Sequence, residues 1–292
     1  MMDLESLKIF CCVASELSVT HAATRLGRAP SSVTTRIQQL EADIGAELFV
    51  RTNKRMALSA AGGRFLDYAQ RLLALEEEAR HVVAGGAEGG ALRVGSMEST
   101  AASRLPPLLA AYHARHPATR LALSTGPSRP LLEQVRTGLL DCAFVALPPA
   151  FAGPAALEEL GLAAQAVWRE ELCLLLPASE ASARDPAHVR TRSLAAFPQG
   201  CTYRAMAEDT LGIAASTDWR VQEMNSYHTM IACVAAGACV TLLPASVLEL
   251  SDAPASLPAL SVGQVDTLLV WRAGFDLPAF RHLQAQLGAA AP

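Results

Sequence analysis

Two groups of residues in this sequence carry side chains suited to chemistry. The first is Arg51, Thr52, Lys54 and Arg55, three cations within five positions and no acid among them. Phe49 and Leu58 flank them at a spacing that suits two short strands, so the cations fall at the tip of a hairpin. Such a tip grips phosphates or enters a minor groove. The 292-residue chain carries a formal net charge of −4, so its positive charge is local and a general basic coat is excluded. The second group is a set of hydroxyls, amides and one acid placed after apolar runs: Ser96-Met97-Glu98-Ser99-Thr100, then Thr125-Gly126-Pro127-Ser128, then Ala146, Cys201-Thr202-Tyr203, and Asn225 with Tyr227 and His228. Hydroxyls and backbone N–H groups at a helix start favour an anion. They serve equally as ordinary helix caps.

The elements that position the first group are helical. Leu4, Leu7, Phe10, Val13 and Ala14 form an apolar stripe over residues 4–16. Ser18 caps a second helix over about 18–26, which buries Val19, Ala22, Ala23 and Leu26 and stops at Gly27. Pro30 opens a third, with Val33, Ile37, Leu40 and Ile44 inward and Gly45 at its end. Two short helices joined by a glycine-containing turn make a helix-turn-helix, and Ala22-Ala23 lets them approach closely. Ser31, Ser32, Thr34, Thr35, Arg36, Gln38 and Gln39 lie off the apolar stripe, with Ser18 and Thr20 at the neighbouring helix start. Such a face suits a major groove. Alone it fits a solvated helix face as well; the basic hairpin that follows favours DNA.

The second group sits in alternating strand and helix signals. Residues 91–96, 119–124 and 142–147 look like strands, with helices at 102–115 and 131–137 between them. That order implies a parallel sheet with ligands bound outside the carboxyl ends of its strands. A strand at 163–175 crosses into a second half, and 268–272 with a helix at 277–287 returns to the first. Between the two groups, 60–84 reads as one long helix and the glycine-rich stretch 85–90 as a hinge.

Other function classes find little support. GxSxG, P-loop and HExxH patterns are missing, and seven histidines and seven cysteines show neither metal spacing nor a CxxC pair. Most cysteines read as small apolar residues, and no cofactor is implied. No apolar run reaches the roughly 18 residues of a membrane span, and the start lacks a secretory pattern, so a cytoplasmic protein is expected.

Residues 4–62 resemble the LysR family of transcriptional regulators. The likeness rests on Phe10, Ala22-Ala23, Leu26, the run Pro30-Ser31-Ser32-Val33-Thr34-Thr35-Arg36-Ile37, Leu40-Glu41, Gly45, Leu48-Phe49-Val50-Arg51 and Leu58-Ser59-Ala60-Ala61-Gly62. Where the family usually has Ser-Gln and Ser-Arg, this chain has Ala29-Pro30 and Thr34-Thr35, a departure that bears on the operator read. The resemblance implies an α/β protein: a winged helix-turn-helix at 1–59, a linker and dimerisation helix at 60–86, and a two-lobed effector domain at 87–292 similar to periplasmic solute-binding proteins. Its lobes are expected near 91–162 plus 266–292 and near 163–265. It further implies a double-stranded DNA operator, a metabolite effector in the cleft, assembly as a homodimer or homotetramer, and contact with RNA polymerase. One branch of the family, which includes a regulator of putrescine-utilisation genes, is similar around 96–102, 126–128 and 235–237. Glu98 then either meets a cationic amine or stabilises a helix start, and His228 either lines the cleft or caps a helix. Cys201 falls where some members sense peroxide, although a sensor needs a low-pKa thiol and a resolving partner.

Arg51→Ala is expected to weaken binding to operator and unrelated DNA alike and to reduce the salt slope by about 0.9. Anisotropy titrations across salt concentrations check this, and an unchanged slope contradicts the wing assignment.

Overall fold

The computed structural model describes residues 2–52, 55–83, 91–148, 151, 153 and 155–290, with backbone alone at 51–52, 55, 77–78, 81–83 and 289–290. Lys54 and the hinge expected at 85–90 lie outside the described residues, as do the side chains of Arg51, Thr52 and Arg55. The chain forms two compact units with the boundary at Gly85 and Gly86.

In the first unit, α1 (Leu4–Glu16) starts where the Asp3 carboxylate accepts a 2.7 Å bond from the Ser6 N–H. Ser18 caps α2 (Val19–Leu26) by accepting from the His21 N–H, and Gly27 ends it at φ 64°. Proline at the first position opens α3 (Pro30–Ile44), which closes at Gly45 with φ 74°. Ala22 and Ala23 are sealed against Phe10, Val13, Val33, Ile37 and Leu40. The hairpin β1 (Phe49–Thr52) and β2 (Arg55–Leu58) pairs antiparallel from Phe49↔Leu58 to Thr52↔Arg55.

Three contacts fix the hairpin's direction. Glu41 on α3 accepts from the Leu48 and Phe49 N–H groups at 2.7 and 3.2 Å. Phe10 lies 5.4 Å from Phe49 and 5.2 Å from Phe65, between the hairpin and α4 (Ala60–Val83). Ser59 caps α4, accepting from the Gly62 N–H while donating to the Glu47 carbonyl. Along α4 Ala69 and Ala74 are buried, whereas Tyr68, Leu72 and Leu75 share one exposed face.

The second unit contains β3 (Ala91–Ser96), α5 (Glu98–Ser103), α6 (Leu105–Arg115), β4 (Arg120–Thr125), α7 (Ser128–Thr137), β5 (Cys142–Val145) and α8 (Ala155–Glu159). It continues with β6 (Leu162–Leu175), β7 (Ser193–Ala196), α9 (Thr202–Thr210), β8 (Arg220–Glu223), α10 (Tyr227–Ala235), β9 (Thr241–Pro244), α11 (Ala245–Glu249), β10 (Ala259–Arg272) and α12 (Pro278–Ala290). The main sheet runs β4-β3-β5-β10-β6-β9, and β7 joins it through a parallel bridge from Leu194 to Val240. As the sequence implies, β4, β3 and β5 are parallel; β10 then runs antiparallel to both β5 and β6.

Two elements differ from the sequence reading. The strand expected at 268–272 begins at Ala259, because its half-exposed first part pairs with β6 from Ala259↔Leu175 onward. The helix expected at 102–115 is two helices broken at Arg104, with Pro106-Pro107 in the first turn of the second. The two strands β6 and β10 thread both lobes: the first-lobe end of β10 pairs with β5, and the second-lobe end of β6 pairs with β9. The first lobe packs Leu92, Tyr112, Phe144 and Phe280 on one sheet face and Leu131, Val135 and Val145 on the other. The second packs Leu172, Leu174 and Val240 against α9, and Met230 and Val234 beneath α10.

Adjacent glycines in α4 offer a controlled comparison. A Cβ on Gly62 would stand 1.9 Å from the Leu48 carbonyl oxygen, whereas one on Gly63 meets nothing within 4 Å. Gly62→Ala should destabilise the first unit by about 1–3 kcal/mol. Gly63→Ala should stabilise it by about 0.4–1 kcal/mol. Denaturant melts of both variants check this; equal stabilities contradict the packing described.

Candidate functional site

The exposed face of α3 carries Ser31, Ser32, Thr34, Thr35 and Gln38, and no acid occurs between Pro30 and Gln39. Three of the expected groove-facing groups already have partners, one being Gln39, whose Nε2 donates to Asp43 Oδ1 at 3.2 Å. Thr34 Oγ1 donates to the Pro30 carbonyl at 3.0 Å, and Arg36 Nη1 donates to Asp3 Oδ2 at 3.3 Å. Ser18 is half-buried as the α2 cap, while Thr20 beside it is exposed.

In the second unit a cavity of about 230 Å³ lies between the lobes at the carboxyl ends of β3 and β4. The first lobe lines it with Met97, Glu98 and Ser99 after β3, and with Thr125, Gly126, Pro127 and Ser128 where β4 turns into α7. The second lobe contributes Phe197 and Pro198 after β7, Cys201 and Tyr203 at the start of α9, and Asn225 and Tyr227 at the start of α10. These positions follow from the topology, since each chain segment leaves a strand and opens a helix at the same edge. Phe197 and Tyr227 form an edge-on aromatic pair with centroids 4.9 Å apart.

Several expected residues lie outside this lining. Ser96 is buried and donates to the Met97 carbonyl, and Thr100 is buried behind Ser99 in α5. His228 is exposed on α10. Thr202 and Ala146 instead join the lobes: Thr202 Oγ1 donates to the Ala146 carbonyl at 2.8 Å, and the Ala146 N–H meets Met97 Sδ at 3.2 Å. Further joints are the Arg129 N–H on the Gly200 carbonyl and Glu170, which accepts from Arg104 at 2.6 Å and Ser246 at 2.8 Å. Phe197 and Pro198 also line the cavity and are not among the residues the sequence points to. Their position directly after the apolar run Leu194-Ala195-Ala196 is the signal that marks them.

The cavity's electrostatics are simple. Burial pushes the phenols of Tyr203 and Tyr227 and the thiol of Cys201 upward, so all three stay neutral. A raised Cys201 thiol runs against a peroxide sensor, whose thiol must ionise easily. All seven cysteines are free. Ser128 Oγ and Tyr203 OH, on residues 1% and 3% exposed, have no hydrogen-bond partner among the described residues. An unpartnered buried hydroxyl costs about 1–3 kcal/mol, which a polar ligand recovers. Among the described residues no cluster of three or more His, Cys, Asp or Glu could hold a metal, and no helix is long and apolar enough to cross a membrane.

Comparison with known proteins matches two family models along the chain. Residues 4–63 match the bacterial regulatory helix-turn-helix protein, lysR family, and residues 85–292 match the LysR substrate binding domain. An uncharacterized HTH-type transcriptional regulator of Bacillus subtilis, YusT, is 36% identical over 257 residues, 88% of this chain and 83% of that one. Among solved structures, the LysR family regulator CbnR aligns over 100% of both chains with a TM-score of 0.68 at 24% identity. Full-length CbnR in complex with its target DNA aligns over 99% of this chain and 100% of that one with a TM-score of 0.66, also at 24% identity. With a helix-turn-helix domain for DNA and a two-lobed domain for an effector, this chain is a regulator rather than an enzyme and belongs to the LysR family of bacterial helix-turn-helix transcriptional regulators.

Proposed function

We propose that a small amine-bearing metabolite held in the interlobe cavity controls how this cytoplasmic regulator engages a two-fold-related operator. The observation that carries the reading is the pair of buried, unpartnered hydroxyls of Ser128 and Tyr203 at the edge where both lobes meet. The sequence likeness to a branch that includes a regulator of putrescine-utilisation genes supports an amine, and Glu98 is the group that would receive it.

On the DNA side, α3 enters a major groove with Ser31, Ser32, Thr35 and Gln38, while Arg51, Thr52, Lys54 and Arg55 hold phosphates or the adjacent minor groove. Thr34 and Arg36 change partners to take part. The exposed stripe of Tyr68, Leu72 and Leu75 on α4 pairs with the same stripe of a second copy. Two such dimers place four winged domains on the operator, and from there the regulator contacts RNA polymerase. The effector shifts the arrangement only through different affinity for the lobes' two states, and each tenfold difference is worth about 1.4 kcal/mol.

Footprinting of the DNA upstream of the gene should give two protected half-sites about a helical turn apart or a multiple of it. Protection without two-fold-related half-sites contradicts the operator reading. A thermal-shift screen of amines, amino acids and small carboxylates should give a hit that Ser128→Leu abolishes by filling the cavity. A hit that survives Ser128→Leu contradicts the site.

A further inference from the structure

We propose that the cavity accepts a zwitterionic α-amino acid with an apolar side chain. The inference rests on reading this cavity as the effector site, and it starts from a count of charges. Glu98 is the sole carboxylate in the lining, and Lys, Arg and His are absent from it. Among the described residues the Glu98 side chain makes no hydrogen bond or ion pair. Among the lining side chains the cavity therefore presents one full charge, a negative one set at the first residue of α5. A ligand with only carboxylates adds a like charge to a small site, and low dielectric magnifies that repulsion. An ammonium group supplies the missing counter-charge.

The far wall asks for the opposite polarity. Ser128 is the first residue of the ten-residue helix α7, so the positive end of the helix dipole points at the cavity. Its Oγ is buried and unpartnered, and the Tyr203 hydroxyl nearby, close to Ser99 and Thr267, makes no full hydrogen bond. The nine-residue helix α10 begins beside Asn225, and its N-cap Ser226 makes no capping bond through its side chain. Together these offer hydroxyl and backbone N–H donors to a carboxylate without placing a second full charge in the wall.

The remaining surface is apolar, formed by Met97, Phe197 and Pro198 with the Tyr227 ring. It suits a hydrocarbon or aromatic side chain. A diamine fits less well, because Glu98 can receive one ammonium and the second would face the helix start or the apolar wall. The cavity of about 230 Å³ lies below the roughly 300–1,000 Å³ of sites for drug-sized ligands, which sets a small ligand.

Calorimetry on the full-length protein tests this with matched probes. L-leucine, L-methionine and L-phenylalanine are compared with 4-methylpentanoate and 3-phenylpropionate, which lack the amine, with isopentylamine and phenethylamine, which lack the carboxylate, and with putrescine. At least one amino acid should bind, and at least tenfold more tightly than its truncated analogues and putrescine. Glu98→Gln should weaken the amino acid at least tenfold yet tighten its deaminated analogue severalfold, a change of sign that a merely structural role of Glu98 does not produce. Ser128→Ala should weaken the amino acid and the deaminated acid and leave the amine within twofold. Failure of all three amino acids to bind, a truncated analogue or putrescine binding as tightly, or amino-acid binding indifferent to Glu98→Gln overturns the proposal. If any probe binds and Ser128→Leu abolishes that binding, the cavity stands as the effector site even when the amino-acid proposal fails. Binding that survives Ser128→Leu overturns both.

Discussion

Thirteen registered positions pair β6 with β10, from Leu162↔Arg272 to Leu175↔Ala259, and this antiparallel ladder passes through both lobes of the effector domain. Its bulge between Thr267 and Leu268 falls where the pairing leaves the first lobe, and Thr267 there is completely buried. The two lobes therefore share a spine. The other joints between them are Thr202 on Ala146, Arg129 on Gly200, Ser246 on Ser103 and the Glu170 joint with Arg104 and Ser246, beside apolar packing of Met97 and Ala146 against Leu174 and Tyr203. A neutral hydrogen bond contributes about 0.5–1.5 kcal/mol net and one to a charged group about 1.5–3, so the polar joints together hold the lobes by several kcal/mol. Shifting a two-state equilibrium from 1:99 to 99:1 needs about 5.5 kcal/mol, so a bound ligand and the joints compete on one energy scale.

The DNA-binding unit obeys a different constraint. Phe10 stands between Phe49 and Phe65, and Gly62 leaves no room for a side chain against Leu48. Glu41 then holds the start of the hairpin to the end of α3 through two backbone N–H groups. Helix α3 and the hairpin are thus fixed to each other by packing and one carboxylate, and the proposed phosphate contacts fall to Arg51, Lys54 and Arg55. On that proposal, a local set of cations lets a chain with net charge −4 bind a polyanion.

Much of this was legible in the sequence where a local rule governs. Ser18, Pro30, Gly27 and Gly45 mark helix limits because capping chemistry is set by neighbours in the chain. The strand-end position of Met97 to Ser99, Thr125 to Ser128, Cys201, Tyr203, Asn225 and Tyr227 follows from α/β topology, and the structure gathers them around one cavity. Long-range pairings escape such rules. Arg36 finds Asp3, 33 positions away, and Thr202 turns from the cavity to Ala146, 56 positions away. Ser96 and Thr100 share a segment with lining residues, but the pleat and the helix turn them inward. The full length of β10 was hidden because its first half is only half-buried or exposed and carries Gly263 and Asp266, so no buried apolar run marks it.

The account's central claim is that occupancy of the interlobe cavity changes how the protein sits on DNA. DNase footprints of the upstream operator, taken with and without a cavity-binding ligand, test it on the wild type and on Ser128→Leu side by side. The account predicts a ligand-dependent change in the protected positions for the wild type and the same footprint under both conditions for Ser128→Leu. An equal ligand-dependent change in both proteins would contradict it.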